Sequence, residues 1–311
     1  MTIFEILKTA IALGLKSDFR PKKEIERFGW QEKIVNAAGE HFINYYPDTG
    51  VVLVKNLAKP VKRVAVGIDM SIGDLLLLEK FKKQSDQSVD LIITHHADGR
   101  LLASFPHIIK TQLGHLKSQK VATEGLKKYF DRKMTDLWLD TYSLNLSRFV
   151  DALRYLNQDC VGIHTPVDNL GARYVEQIIE KSKAKTLQEC VEALLRLPEY
   201  KNAYETLGLS PLILVGQPRS KLGKFVLTEF TGGEEGPVQI YRRMKQANVK
   251  TILFMHLTPE AFREAKRLKL NVIAAGHNAS DSIGLNLFCD IIKHRGIEII
   301  PLGGFIRQAR K

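Results

Sequence analysis

The apolar positions of this chain follow two alternating rhythms. Residues 3–15 repeat at helical spacing, and residues 22–38 do the same, with Pro21 suited to a first turn and Trp30 on the apolar side, so two helices are predicted there. The segment Pro47-Asp48-Thr49-Gly50 reads as a turn before a short strand, Val51-Val52-Leu53-Val54. Val61 to Asp69 is a second strand, followed by a helix whose start is signed by Ser71 with Asp74 three residues on. Val89 to Thr94 is more continuously apolar, the pattern of a strand covered on both faces. Strand, helix and strand at this spacing make a βαβ unit, so the sheet is at least partly parallel.

Residues 101–156 predict two or three helices around an irregular middle at Thr135–Tyr142. A strand starts at Cys160, and helices are predicted at 170–181 and 186–196, the second opened by a Thr186/Glu189 capping box. The stretch 198–211, with Pro198, Gly208 and Pro211, reads as a linker. Two strands joined by a turn follow, at 211–216 and 223–230, and then a glycine-rich loop, Gly232 to Gly236. Helices near 237–247, 259–267 and 280–293 alternate with strands at 249–255, 271–275 and 297–300. The pattern is that of an α/β protein with two intimately packed lobes and mixed or parallel sheets. The lobes are expected at about 1–197, with a helical insertion at 100–158, and at 211–311.

With 311 residues, 44% hydrophobic and 26% charged, the chain can bury a substantial core as one large unit, and its composition excludes a disordered polypeptide. No run approaches the roughly 20 apolar residues that span a bilayer. Glu5 and Lys8 interrupt the first apolar segment, which reads as an amphipathic helix and not as a secretory signal. Cys160, Cys190 and Cys289 form no CxxC pair, so neither a disulfide framework nor an all-cysteine zinc site is expected, and a reducing cytoplasm is the natural compartment. The net charge of +12 raises a nucleic-acid reading. The charge is dispersed, however, and clusters such as Lys80–Lys83 and Arg242-Arg243 fall on predicted surface helices without a zinc finger, KH loop or RNP-like aromatic pair. An anionic small substrate is served by the same potential.

The chemistry concentrates at strand ends. His95 and His96 directly follow the apolar strand, where loops converge over the carboxyl edge of an α/β sheet. Neighbouring side chains at such a junction point in different directions, which suits two metal ions sharing a centre. Gly162-Ile163-His164-Thr165-Pro166-Val167-Asp168 repeats the placement, and so does Ala275-Gly276-His277-Asn278-Ala279-Ser280-Asp281. With a helix starting near Ser280, His277 lies in the loop and Asp281 in the first turn, where the helix dipole alone favours an acid. His256 ends another strand and is a candidate for substrate contact or proton transfer. His164 is a candidate for the same task, or for ordering a ligating carboxylate. His107 and His115 read as surface or core-edge residues.

The segments VDLIITHH, IHTPVD and AGHNASDSIG resemble, in this order, the signature segments of the NIF3-like family, also called NGG1-interacting factor 3 or DUF34. Some of its members are labelled type 2 GTP cyclohydrolase I homologues. The resemblance spans roughly Val61 to Gly304 and implies the NIF3-like fold over 1–311 as a single unit. It also implies two divalent metals held by His95, His96, Asp168, His277 and Asp281. The chain departs from the family pattern in having Ala97 where HHP is usual and Asp281, one methylene shorter, where glutamate is usual. A homo-oligomer, often hexameric, is a further implication of the resemblance. Imidazole and carboxylate ligation without thiolate suits zinc, manganese, iron or nickel. The function expected is therefore a dinuclear metal-dependent hydrolase of a small, anionic or nucleotide-like substrate. The alternatives are a non-enzymatic metal-binding regulatory, interaction or metal-insertion protein, and nucleic-acid binding through the basic surface.

Overall fold

The apolar runs become the strands of two sheets. The computed structural model describes every residue except 27–29, 86, 87 and 311. In chain order the strands are β1 (Glu32–Val35), β2 (His41–Asn44), β3 (Gly50–Leu53), β4 (Arg63–Gly67), β5 (Leu91–Thr94), β6 (Cys160–Gly162), β7 (Leu212–Val215), β8 (Phe225–Thr228), β9 (Thr251–Phe254), β10 (Asn271–Ala274) and β11 (Glu298–Leu302). One sheet has the order β11-β4-β5-β6-β3, the other β7-β10-β9-β8, and β1-β2 is a separate hairpin. Within each large sheet the strands are parallel except for one antiparallel edge, β3 or β7. This is the mixed α/β architecture expected. Because β11 returns to pair with β4, the two sheets divide near 197–211 for every strand but the last.

The helices are α1 (Ile3–Ser17), α2 (Lys22–Glu26), α3 (Ile72–Ser85), α4 (Gly99–Ser104), α5 (Thr111–Ser118), α6 (Lys127–Tyr142), α7 (Arg148–Tyr155), α8 (Thr165–Ser182), α9 (Leu187–Leu195), α10 (Pro198–Leu207), α11 (Gln239–Gln246), α12 (Pro259–Arg267) and α13 (His277–His294), with a 3₁₀ turn at Phe105–Lys110. Val64, Val66, Ile68, Leu91 and Ile93 of the first sheet bury against Ile6, Leu7 and Ala10 of α1 and Leu285 and Phe288 of α13. Leu227, Leu253 and Ile273 of the second sheet share a core with Val175 and Ile179 of α8 and with Leu187 and Leu194 of α9. The helices α8 and α13 thus lie between the sheets and serve both cores. None of the described helices is long and apolar enough to cross a membrane.

Several expectations are corrected. The helix predicted over 22–38 is the short α2 followed by the β1-β2 hairpin; Trp30 falls outside both, and part of the expected helix, 27–29, lies outside the described residues. The turn between β1 and β2 is built by Asn36, whose side-chain oxygen accepts from the N–H groups of Ala38 and Glu40, with Gly39 at φ +81°. The linker expected at 198–211 is mostly α10, since Pro198 occupies the first turn, where its missing N–H costs nothing, and Gly208 closes the helix in the left-handed conformation. The irregular middle at Thr135–Tyr142 lies within α6. The strands expected to be joined by a turn, β7 and β8, stand at opposite edges of their sheet, separated by β10 and β9.

Candidate metal centre

The carboxyl ends of the parallel strands of both sheets converge on one cluster of histidines and aspartates. Sheet pairing continues past β5, with the His95 and His96 N–H groups donating to the Gly67 and Ile68 carbonyls, so both imidazoles leave a fixed backbone. His95 is fully buried, and its Nδ1 lies 3.1 Å from the Ile163 carbonyl oxygen. A carbonyl only accepts, so Nδ1 carries a proton, and in the neutral ring Nε2 keeps the lone pair. That Nε2 is buried without a hydrogen-bond partner, 3.2 Å from Asp168 Oδ1 and 3.7 Å from Asp281 Oδ1.

His96 has the same polarity. Its Nδ1 is 2.6 Å from Asp69 Oδ1, just beyond the end of β4, and its Nε2 is 3.5 Å from Asp281 Oδ2. His164, beyond β6, has Nδ1 3.0 Å from the buried Asp48 and Nε2 3.6 Å from Asp168 Oδ2. Thr165 Oγ1 donates to Asp48 at 2.6 Å, anchoring that carboxylate. Each ring thus has one nitrogen directed at a carbonyl or carboxylate and the other toward the cluster, the arrangement by which outer groups orient metal-ligating imidazoles.

The helix α13 begins three residues earlier than expected, at His277, after Gly276 at φ +98°. His277 and Asp281 therefore stand one turn apart on one helix, with Nε2 3.1 Å from Oδ2, correcting the expectation that His277 lies in a loop. Both Asp281 oxygens are buried and without hydrogen bonds. What offsets the burial of this carboxylate is the three histidines around it, His277 at 3.1 Å, His96 at 3.5 Å and His95 at 3.7 Å. Three sets of donor atoms lie within 4.8 Å of one another, namely His95-Asp168-Asp281, His96-His277-Asp281 and His95-His96-His164. Asp281 belongs to two of the sets, and the groups present fit a divalent cation.

The electrostatics follow from this crowding. Burial acts to lower the pKa of His95, but the Asp168 and Asp281 charges outweigh it and raise the value well above its ordinary level. His96 is similarly opposed by burial yet raised to about 9 by Asp281, 3.5 Å away, and by its hydrogen bond to Asp69. Burial opposes ionisation of Asp281, and His95, His277 and His96 more than offset it, so its pKa lies well below the usual carboxylate range. The cluster is thus a place where positive charge is stabilised by a buried carboxylate.

A cleft of about 270 Å³ opens onto the cluster and is bounded by His96, His164, Asp168 and His277. His256, beyond β9, lines the same cleft with its ring 5.0 Å from that of His277. Burial and the His277 charge lower its pKa. Phe105 forms an apolar face there, stacked 5.9 Å from the His164 ring. All seven candidate residues, His95, His96, His164, Asp168, His256, His277 and Asp281, are thus brought to the cluster or its cleft. Sequence reasoning missed Asp69 and Asp48. Both carry the signal that found the others, a polar residue at a strand end or in the turn before one, but their partners lie far away in sequence.

These features define a class, a two-sheet α/β protein with a histidine and aspartate centre where its sheets meet. Neither a family model nor a curated protein matches the chain. Among solved structures it is similar to a NIF3 superfamily protein from Sphaerobacter thermophilus, with a TM-score of 0.74 at 23% identity over 96% of this chain and 97% of that one. It is also similar to reduced HcgD from Methanocaldococcus jannaschii, with a TM-score of 0.51 at 14% identity over 97% of this chain and 98% of that one. The chain has the NIF3 superfamily fold.

Proposed function

We propose that the chain is a dinuclear metal-dependent hydrolase acting on a small, anionic substrate held in the cleft. The observation that carries the reading is Asp281, a buried carboxylate faced by His95, His96 and His277 and shared by two sets of potential ligands. One ion would be held by His95, Asp168 and Asp281, the other by His96, His277 and Asp281, with His164 beside the first set. Two divalent ions bound there would supply Lewis acidity and a lowered water pKa. Within the protein, Ile163, Asp69 and Asp48 hold the imidazoles in orientation. His256, at the cleft wall, is placed to accept the proton released as water attacks, since an imidazole titrates near neutrality. The open cleft favours hydrolysis over the non-enzymatic alternative, because a purely structural ion needs no such access.

The test is elemental analysis of the full chain, purified without added metal and again after zinc or manganese is supplied, beside Asp281→Ala. About two ions per chain in the wild type, with loss of both sites in the variant, is the outcome expected for a shared ligand. A chain that takes up no ion, or an Asp281→Ala variant that keeps both, rejects the centre.

A further inference from the structure

One buried acid in the cleft has no part in the proposed centre. Glu229 follows β8 at the carboxyl edge of the second sheet and lines the same cleft as His96, Asp168 and His277. It is 3% exposed, yet neither carboxyl oxygen has a hydrogen-bond partner.

Its backbone is also unusual. Among the described residues, six that are not glycine have positive φ: Lys120, Asn157, Lys183, Glu229, Asn248 and Lys269. Five of these close helices α5, α7, α8, α11 and α12, where the left-handed conformation is a routine ending. Glu229, at φ +65°, follows a strand. A glycine there would remove both the strain and the buried acid. Strained backbone of this kind gathers where a ligand is bound.

We propose that Glu229 is a specificity-determining residue of the cleft, its two carboxyl oxygens receiving a planar amide edge of the substrate. This deepens the proposed function, since it takes the cleft as the substrate site of the metal centre. Burial, then the charges of Glu235 and Glu234, hold the Glu229 carboxyl well above the ordinary range, against the opposing influence of the Gly236 N–H. An uncharged acid offers O–H and C=O side by side, and an amide answers with C=O and N–H in a two-bond pair. The apolar face of Phe105 in the same cleft suits a flat group.

Benzamide is the probe, acetophenone its equivalent without N–H, and benzamidine its cationic counterpart. Their binding to the full chain is followed by saturation-transfer NMR in metal-stripped and zinc-loaded forms, for the wild type, Glu229→Ala and Glu229→Gln, with thermal midpoints alongside. Benzamide is expected to bind better than acetophenone, to weaken about tenfold or more in Glu229→Ala and to stay within about threefold in Glu229→Gln, which keeps a donor and an acceptor. Thermal midpoints at or above the wild-type value are expected in both variants, because a strained, unpaired acid is not there for stability. Equal benzamide affinity in wild type and Glu229→Ala, or no preference over acetophenone, overturns the proposal. Preference for benzamidine with loss in Glu229→Gln overturns the amide assignment. If the chain takes up no metal but the stripped form shows the expected dependence on Glu229, the metal reading fails and this one stands.

Discussion

Gly284 of α13 packs so closely on Val167 of α8 that a methyl group added to it would overlap the Val167 carbonyl oxygen. Gly171 answers from α8, where an added methyl would lie 3.2 Å from the Gly284 nitrogen. The two helices therefore meet backbone to backbone just beyond the turns that carry Asp168 and Asp281. This close approach sets the spacing of Asp168 and Asp281, the two carboxylates that face His95 Nε2 from α8 and α13.

Gly284→Ala is expected to destabilise the fold although alanine is the better helix former. Intrinsic propensity favours the variant by about 1 kcal/mol. Overlap with a carbonyl oxygen in a packed interface costs about 1–3 kcal/mol and cannot be relieved by a side-chain rotation. So close an approach to a backbone oxygen puts the cost at the upper end, and the net expectation is a loss of about 2 kcal/mol in urea unfolding, accompanied by weaker metal uptake, because the same interface spaces Asp168 and Asp281. A variant as stable as wild type, with its metal content intact, would show that the helices have room to separate without consequence.

What could be read in the sequence was local. Apolar runs such as Leu91–Thr94 announced strands, and histidines placed just beyond them announced a site, because strand ends in parallel sheets share one edge. The lost elements have physical reasons. Pro198 and Gly208 look like breakers, but each stands at the end of α10 where it is favoured. Asn36 and Gly39 turn the chain within a stretch whose apolar spacing also suits a helix. The pairing of Asp69 with His96 and of Asp48 with His164 depends on which strands become neighbours, and no local pattern encodes it. The strain at Glu229 is likewise visible only once its backbone is placed.

The two orienting aspartates are expected to differ in weight. Asp48 is buried, and its pKa is lowered despite that burial by hydrogen bonding to His164, by the His164 charge and by Thr165. Asp69 has a side chain 75% exposed, so water can replace much of what it gives His96. Loss of such outer partners costs about 10–100-fold in metal affinity, and Asp48→Asn belongs at the upper end and Asp69→Asn at the lower. Competition against a chromogenic chelator measures both. The reverse order, or no effect from Asp48→Asn, would mean that the Asp48–His164 pair gives metal binding no support.

Acid sensitivity is expected from a histidine remote from the centre. His115 of α5 is buried, with its ring stacked 4.3 Å from that of Phe19 and its Nε2 unpartnered. Burial, reinforced by the Arg173 charge and, to a smaller extent, by Arg20, outweighs the opposing pull of Asp18 and lowers its pKa to about 4. The unfolded chain binds this proton near pH 6.5, so between about 6.5 and 4 the unfolded state holds more protons than the native one, and stability falls as pH falls. Its full contribution is present above about 6.5, and roughly 3 kcal/mol is lost by pH 4. His115→Phe keeps an aromatic ring on Phe19 and removes the titration. Urea unfolding of both proteins at intervals from pH 7.5 to pH 4 should therefore show the variant gaining about 3 kcal/mol relative to wild type as the pH drops. Parallel pH profiles would place a proton on native His115 and overturn the reading of a neutral ring held in the core.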